Sequence, residues 1–198
     1  MLERDTELAA LAHAAREAAD RHGSVVLVKG EAGIGKSSLV EALRSHLPAE
    51  GRMLVGYCDD LATPRTLGPF RDLVGSVGTE LSRAVTDGSE RDRELTALRT
   101  ELTWFDHPTV LVIEDAHWAD DATLDALRYL IRRIADLPAV LVLTYRDDEL
   151  NRGTRCTACW ARRPAATTCG VCRCAGCRSK RCGSSAREAR STHMTCSS

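Results

Sequence analysis

Ser24-Val-Val-Leu-Val-Lys-Gly30-Glu-Ala-Gly-Ile-Gly35-Lys36-Ser37-Ser38-Leu-Val-Glu41 decides the fold of this 198-residue chain. The apolar run Val25 to Val28, rich in β-branched residues, predicts a strand covered on both faces. Gly30 to Ser37 then matches the pattern G-x-x-x-x-G-K-[ST] at every fixed position. A chance match in a chain of this size is on the order of one per cent. Lys36 to Leu47 reads as a helix stopped by Pro48. Glycines let a backbone curl until successive N–H groups face an anion, and a helix start adds the positive end of its dipole. Gly30, Glu31, Ala32, Gly33, Ile34, Gly35, Lys36, Ser37 and Ser38 are therefore the candidate phosphate-binding set. The Lys36 ammonium is expected to reach the β- and γ-phosphates of a nucleotide, and the Ser37 hydroxyl to ligate magnesium. ATP and Mg²⁺ are the cofactors that this chemistry calls for.

Working outward, Thr6 to Asp20 places Leu8, Leu11, Ala12, Ala15 and Ala19 on one helical face. Met53 to Val55, Val110 to Ile113 and Val140 to Leu143 read as further strands. A loop and two helices are expected between Asp59 and Asp106, and one helix after Asp121 carries Leu124, Leu127, Ile131 and Ile134 inward. Strands alternating with helices predict a three-layer α/β fold around a parallel sheet. The third of these strands ends in Glu114-Asp115, where a phosphate-loop ATPase needs its acidic element. Glu114 is expected to hold magnesium and Asp115 to orient or deprotonate the attacking water. A solvated pair of carboxylates is the plainer alternative, and Asp59-Asp60 reads as such a pair in a loop.

Ile113-Glu114-Asp115-Ala116-His117-Trp118-Ala119-Asp120, with Leu143-Thr144-Tyr145-Arg146-Asp147-Asp148-Glu149-Leu150 further on, resembles the ATPase module of large LuxR-type and MalT-like transcriptional regulators. These are signal-transducing ATPases with numerous domains, an AAA-like branch of the P-loop NTPases. Leu2-Glu3-Arg4-Asp5-Thr6-Glu7-Leu8 is similar to their opening motif, which usually reads Gly-Arg-Glu and helps to hold adenine. The resemblance covers residues 1–150. It implies that Arg146 sits beside the γ-phosphate as a sensor, with a surface ion pair to Asp147 or Asp148 as the alternative. Together with Glu114 and Asp115, Arg146 completes the candidate catalytic set. His117 and Trp118 are expected to serve packing or domain contacts. The resemblance further implies a sheet of the additional-strand type, with self-association through the ATPase module left open. A stand-alone ATPase of the AAA kind is the rival reading.

At Asn151 the composition changes. Residues 151–198 carry ten Lys and Arg against Glu188 alone, leaving 17 basic and 27 acidic residues before them. Eight of the nine cysteines also lie there, with no Leu, Ile, Phe or Tyr. Such a segment cannot bury enough surface to offset its ordering entropy. The expected division is a P-loop ATPase domain at 1–150 and a disordered Cys/Arg-rich tail at 151–198. The pairs Cys156/Cys159, Cys169/Cys172 and Cys174/Cys177 have zinc-ligand spacing. A displaced reading frame explains the tail better, because TGC codons preceded by C become leucine codons when shifted by one base. On that view the module is truncated, its fifth strand is missing, binding is weaker than in an intact regulator and little or no hydrolysis is expected. The dispersed acidic charge of 1–150 argues against direct nucleic-acid binding. No apolar run approaches a membrane span and no secretory segment opens the chain, so a cytoplasmic location with reduced thiols is expected.

Overall fold

The computed structural model describes residues 4–103 and 107–146, together with the backbone of 169–175. Its first strand, β1 (Ser24–Gly30), follows the helix α1 (Asp5–Ala19) and leads into α2 (Lys36–Leu43). Helix α2 tightens into a 3₁₀ turn at Arg44–His46 before Pro48, so the expected helix has the right start and an earlier α-helical end. Strand β2 (Arg52–Tyr57) is followed by α3 (Gly68–Arg71), α4 (Thr79–Thr86) and α5 (Arg91–Leu102). Strand β3 (Thr109–Glu114), helix α6 (Asp121–Ile131) and strand β4 (Ala139–Tyr145) complete the α/β unit. The one-turn helix α3 had no sequence signal, because four residues cannot display a 3.6-residue period.

Strands β2, β3, β4 and β1 lie side by side in that order, and all three pairings are parallel. The two faces of the sheet sort themselves by the alternation of each strand. Val26, Val28, Val110, Val112, Val140 and Val142 point to one face and meet Leu11, Ala15, Leu39 and Leu43 of α1 and α2. Val25, Leu27, Leu111, Ile113, Leu141 and Leu143 point to the other and meet Phe70, Leu81, Leu98 and Leu127 from α3 to α6. The fold is thus three-layered, as expected. Every residue of β3 and β4 is buried, which is why their sequences read as unbroken apolar runs rather than alternating ones.

The far edge of β1 departs from expectation. Strand β5 (Cys169–Ala175) lies against it, antiparallel, with Ser24 opposite Ala175 and Gly30 opposite Cys169. The parallel sheet thus keeps four strands, while the β1 edge that was expected to stay empty is paired by this antiparallel strand. The physical reason is that an edge strand offers unpaired N–H and C=O groups, which any extended backbone can satisfy without apolar side chains. The expected boundary at residue 150 and the cysteines 156, 159 and 177 lie outside the described residues. No helix among the described residues is long and apolar enough to cross a membrane.

Candidate functional site

In a parallel sheet the ligand crevice opens at the carboxyl ends of the strands. Here β1 ends at Gly30, β3 at Glu114 and β4 at Tyr145, and the three ends meet at one rim of the sheet. The loop leaving β1 turns through Gly33 and Gly35, whose φ angles of 72° and 87° lie in the left-handed region that glycine enters without a side-chain clash. Gly35 is the residue preceding α2, so the turn delivers the first amides of that helix to the crevice.

The Lys36 side chain is buried, and its Nζ donates to the carbonyls of Gly30 at 2.8 Å and Glu31 at 3.0 Å. The ammonium is therefore folded over the loop rather than extended into solvent. One residue on, Ser37 Oγ donates to Glu114 Oε2 at 2.6 Å, across 77 positions of sequence. Glu114 is only 5% exposed. Burial pushes its carboxyl above the ordinary value, assisted by the neighbouring Asp115 charge and opposed by the Ser37 hydrogen bond and the Lys36 charge.

Asp115 ends the strand with a left-handed backbone, at φ 51° and ψ 44°. Its amide donates to Thr144 Oγ1 at 2.9 Å, and Thr144 is wholly buried on β4. Thr144 thus pins that bend, and the Asp115 side chain is left 40% exposed. Arg146 follows β4, one residue beyond the Lys29–Tyr145 pairing, which sets it level with Gly30. His117 and Trp118 lie just past Asp115 in a 3₁₀ turn, their rings 5.2 Å apart, and the His117 side chain is buried.

The structure therefore brings Lys36, Ser37, Glu114 and Asp115 to one rim. Asp59 is elsewhere engaged: Arg65 donates to it at 2.8 Å and to Asp72 at 3.1 Å. Two residues of the rim make contacts that the sequence reading did not give them. Thr144 was visible only as a polar residue ending an apolar strand. Arg4 reaches the loop itself, donating through Nη1 to the Gly35 carbonyl at 2.9 Å and through Nη2 to the Ile34 carbonyl. Nothing in the spacing of residues 4 and 35 signals that contact.

The donor set suits a magnesium triphosphate. A hydroxyl and a carboxylate oxygen are hard ligands of the kind that magnesium prefers, and they already stand within hydrogen-bonding distance of each other. A helix start and an ammonium beside them provide for the anion. Among the described residues no group of three or more His, Cys, Asp and Glu could hold a metal by itself.

Comparison with known proteins agrees with this geometry. The model of a family described as an AAA ATPase domain matches residues 1–143. The uncharacterized protein R02095 of Rhizobium meliloti (strain 1021) is 26% identical over 167 residues, an overlap covering 63% of this chain and 16% of that protein. Among solved structures, the chain is similar to C. elegans PCH-2, at a TM-score of 0.45 and 14% identity, over 76% of this chain and 39% of that one. It is also similar to the Drosophila ORC bound to AT-rich DNA and Cdc6, at a TM-score of 0.43 and 12% identity, over 79% and 56% of the two chains. The chain thus spans less than two thirds of each of these relatives.

Proposed function

The chain belongs to the AAA ATPase domain family, and from that premise we propose that residues 1–150 form a module that binds ATP with magnesium, with little or no hydrolysis. The observation that carries this reading is the 2.6 Å contact between Ser37 and Glu114, beside the Lys36 ammonium. Such a juxtaposition of hydroxyl, carboxylate and ammonium at a strand-to-helix turn has no structural need, since it costs the burial of Glu114.

The amides of the glycine loop and the start of α2 would receive the phosphate chain, with Lys36 neutralising its β- and γ-oxygens. Ser37 and Glu114 would hold magnesium, which when bound withdraws charge from the phosphates. Asp115, next to Glu114 and 40% exposed at its side chain, would orient a water in line with the γ-phosphorus and take its proton. Arg146, level with Gly30 at the end of β4, would sense the γ-phosphate.

We assign the module to the amino-terminal part of a LuxR-type regulator, in which bound ATP biases a switch between assemblies. The residues from Ile113 to Asp120 and from Leu143 to Leu150 support that assignment. The family match is equally consistent with a stand-alone ATPase of the AAA kind. The fragment itself would act in the cytoplasm and contact neither DNA nor membrane.

Titration of the chain with Mg-ATP, compared with Lys36→Ala, tests the binding claim. Removing the ammonium should weaken binding by about tenfold or more, since each 1.4 kcal/mol is a factor of ten. Unchanged affinity in a folded Lys36→Ala sample would overturn the reading.

A further inference from the structure

Arg4 stands immediately before α1, yet both ends of its guanidinium fork rest on the phosphate loop. Nη1 donates to the Gly35 carbonyl at 2.9 Å and Nη2 to the carbonyl of Ile34. These are neighbouring peptide units, and neither is cis. In a trans peptide the C=O and N–H point in opposite directions. The Ile34 carbonyl shares its unit with the Gly35 amide, and the Gly35 carbonyl shares its unit with the Lys36 amide. Holding the two oxygens from behind therefore aims those two amides at the opposite side of the loop, into the crevice.

Two consequences follow. The first is conformational. Gly33 and Gly35 permit the left-handed turn but do not enforce it, because glycine samples many other conformations at little cost. Leu39 N already donates to the Gly35 carbonyl at 3.1 Å, which orients that unit from the helix side. The Ile34 unit has no such helical partner, and Arg4 supplies one. The second is electrostatic. A positive group at the oxygen end of a peptide strengthens the donor at its nitrogen end, since hydrogen bonds in series polarise one another. An added Cβ at Gly35 would lie 3.7 Å from Arg4 Nη1, so the guanidinium closely backs the turn.

We propose that Arg4 is a positioning residue for the phosphate site, bracing the amides of Gly35 and Lys36 so that affinity for the phosphate chain, rather than for the base, depends on it. This rests on the ATP-binding reading above. It also differs from what the resemblance of residues 2–8 implies, which is a hold on adenine. An arginine suits the task because its planar fork spans two adjacent carbonyls, whereas an ammonium is a single point.

The test uses the full chain, wild type, Arg4→Gln, Arg4→Lys and Lys36→Ala, titrated calorimetrically with Mg-ATP, Mg-GTP and magnesium tripolyphosphate. Arg4→Gln should weaken all three ligands by a common factor, roughly tenfold, as expected for losing charge-assisted bonds. Arg4→Lys should recover part of that loss for all three. Unaltered tripolyphosphate affinity in Arg4→Gln would overturn the proposal, as would a loss confined to ATP, which makes Arg4 a base contact. If Arg4→Gln does not fold, Arg4→Lys decides: intermediate affinity for tripolyphosphate supports the brace, and wild-type affinity removes it. A wild-type chain that binds none of the three defeats the ATP reading itself. Binding that is sensitive to Lys36→Ala but not to Arg4→Gln defeats the brace alone.

Discussion

Ser37→Ala is the most informative single change, because it removes the hydrogen bond that links the glycine loop to the acidic strand end. Ser37 Oγ donates to Glu114 Oε2 at 2.6 Å, and Glu114 is 5% exposed. Hydrogen bonds to charged groups contribute about 1.5–3 kcal/mol. Ser37 itself is exposed, so water can take part of its place, and the lower end of that range, about 1.5 kcal/mol, applies. For a chain of this size that is roughly 3–6 °C in melting temperature. The pH dependence fixes the sign. Burial lifts the Glu114 carboxyl above its ordinary value of 4.5, so its contribution to stability is full below that value and is lost as pH rises through the folded value. The Ser37 bond opposes this loss by favouring the charged form. Ser37→Ala should therefore melt well below wild type at pH 8 and only slightly below it at pH 4. In parallel, nucleotide affinity should lose its dependence on magnesium. Thermal unfolding without nucleotide at the two pH values, followed by titration with and without Mg²⁺, measures both. Equal melting at pH 8, or a deficit that grows towards low pH, would refute the reasoning.

Arg146→Ala should weaken ATP binding by roughly tenfold and leave ADP binding unchanged if, as proposed, the residue set level with Gly30 at the strand end senses the γ-phosphate. Competition titration with the two nucleotides measures this, and an equal effect on both would return Arg146 to a surface ion pair. Gly56→Ala tests the packing that supports the site. A Cβ there would lie 2.0 Å from the Pro69 carbonyl oxygen and 2.9 Å from Pro69 Cα, all backbone of α3. Strand β2 and α3 must separate, and the urea midpoint should fall by the equivalent of about 3 kcal/mol. A midpoint like that of wild type would show that α3 yields without cost.

Much of this protein could be read along the chain. The apolar runs at Val25, Val110 and Val140 announce buried parallel strands, because only a strand covered on both faces can afford no polar alternation. The phosphate loop declares itself because its glycines, lysine and hydroxyl must occupy fixed spacings to curl around an anion. Those parts are local: each depends on residues within one turn or one strand. The short helix α3 carries too few residues for a period to show. Strand β5 has no apolar signature, since its place beside β1 comes from backbone hydrogen bonds.

From residue types and spacing alone came the α/β layering, the phosphate-binding set from Gly30 to Ser38 and the acidic pair at the end of β3. What only the tertiary structure decided is how distant segments complete that set. Ser37 meets Glu114 across 77 positions, Thr144 pins Asp115, and Arg4 reaches back to Ile34 and Gly35. Such contacts arise where crossover connections return separate strand ends to one rim of the sheet. Hydrogen bonds across that rim depend on register and side-chain direction, which no local period encodes.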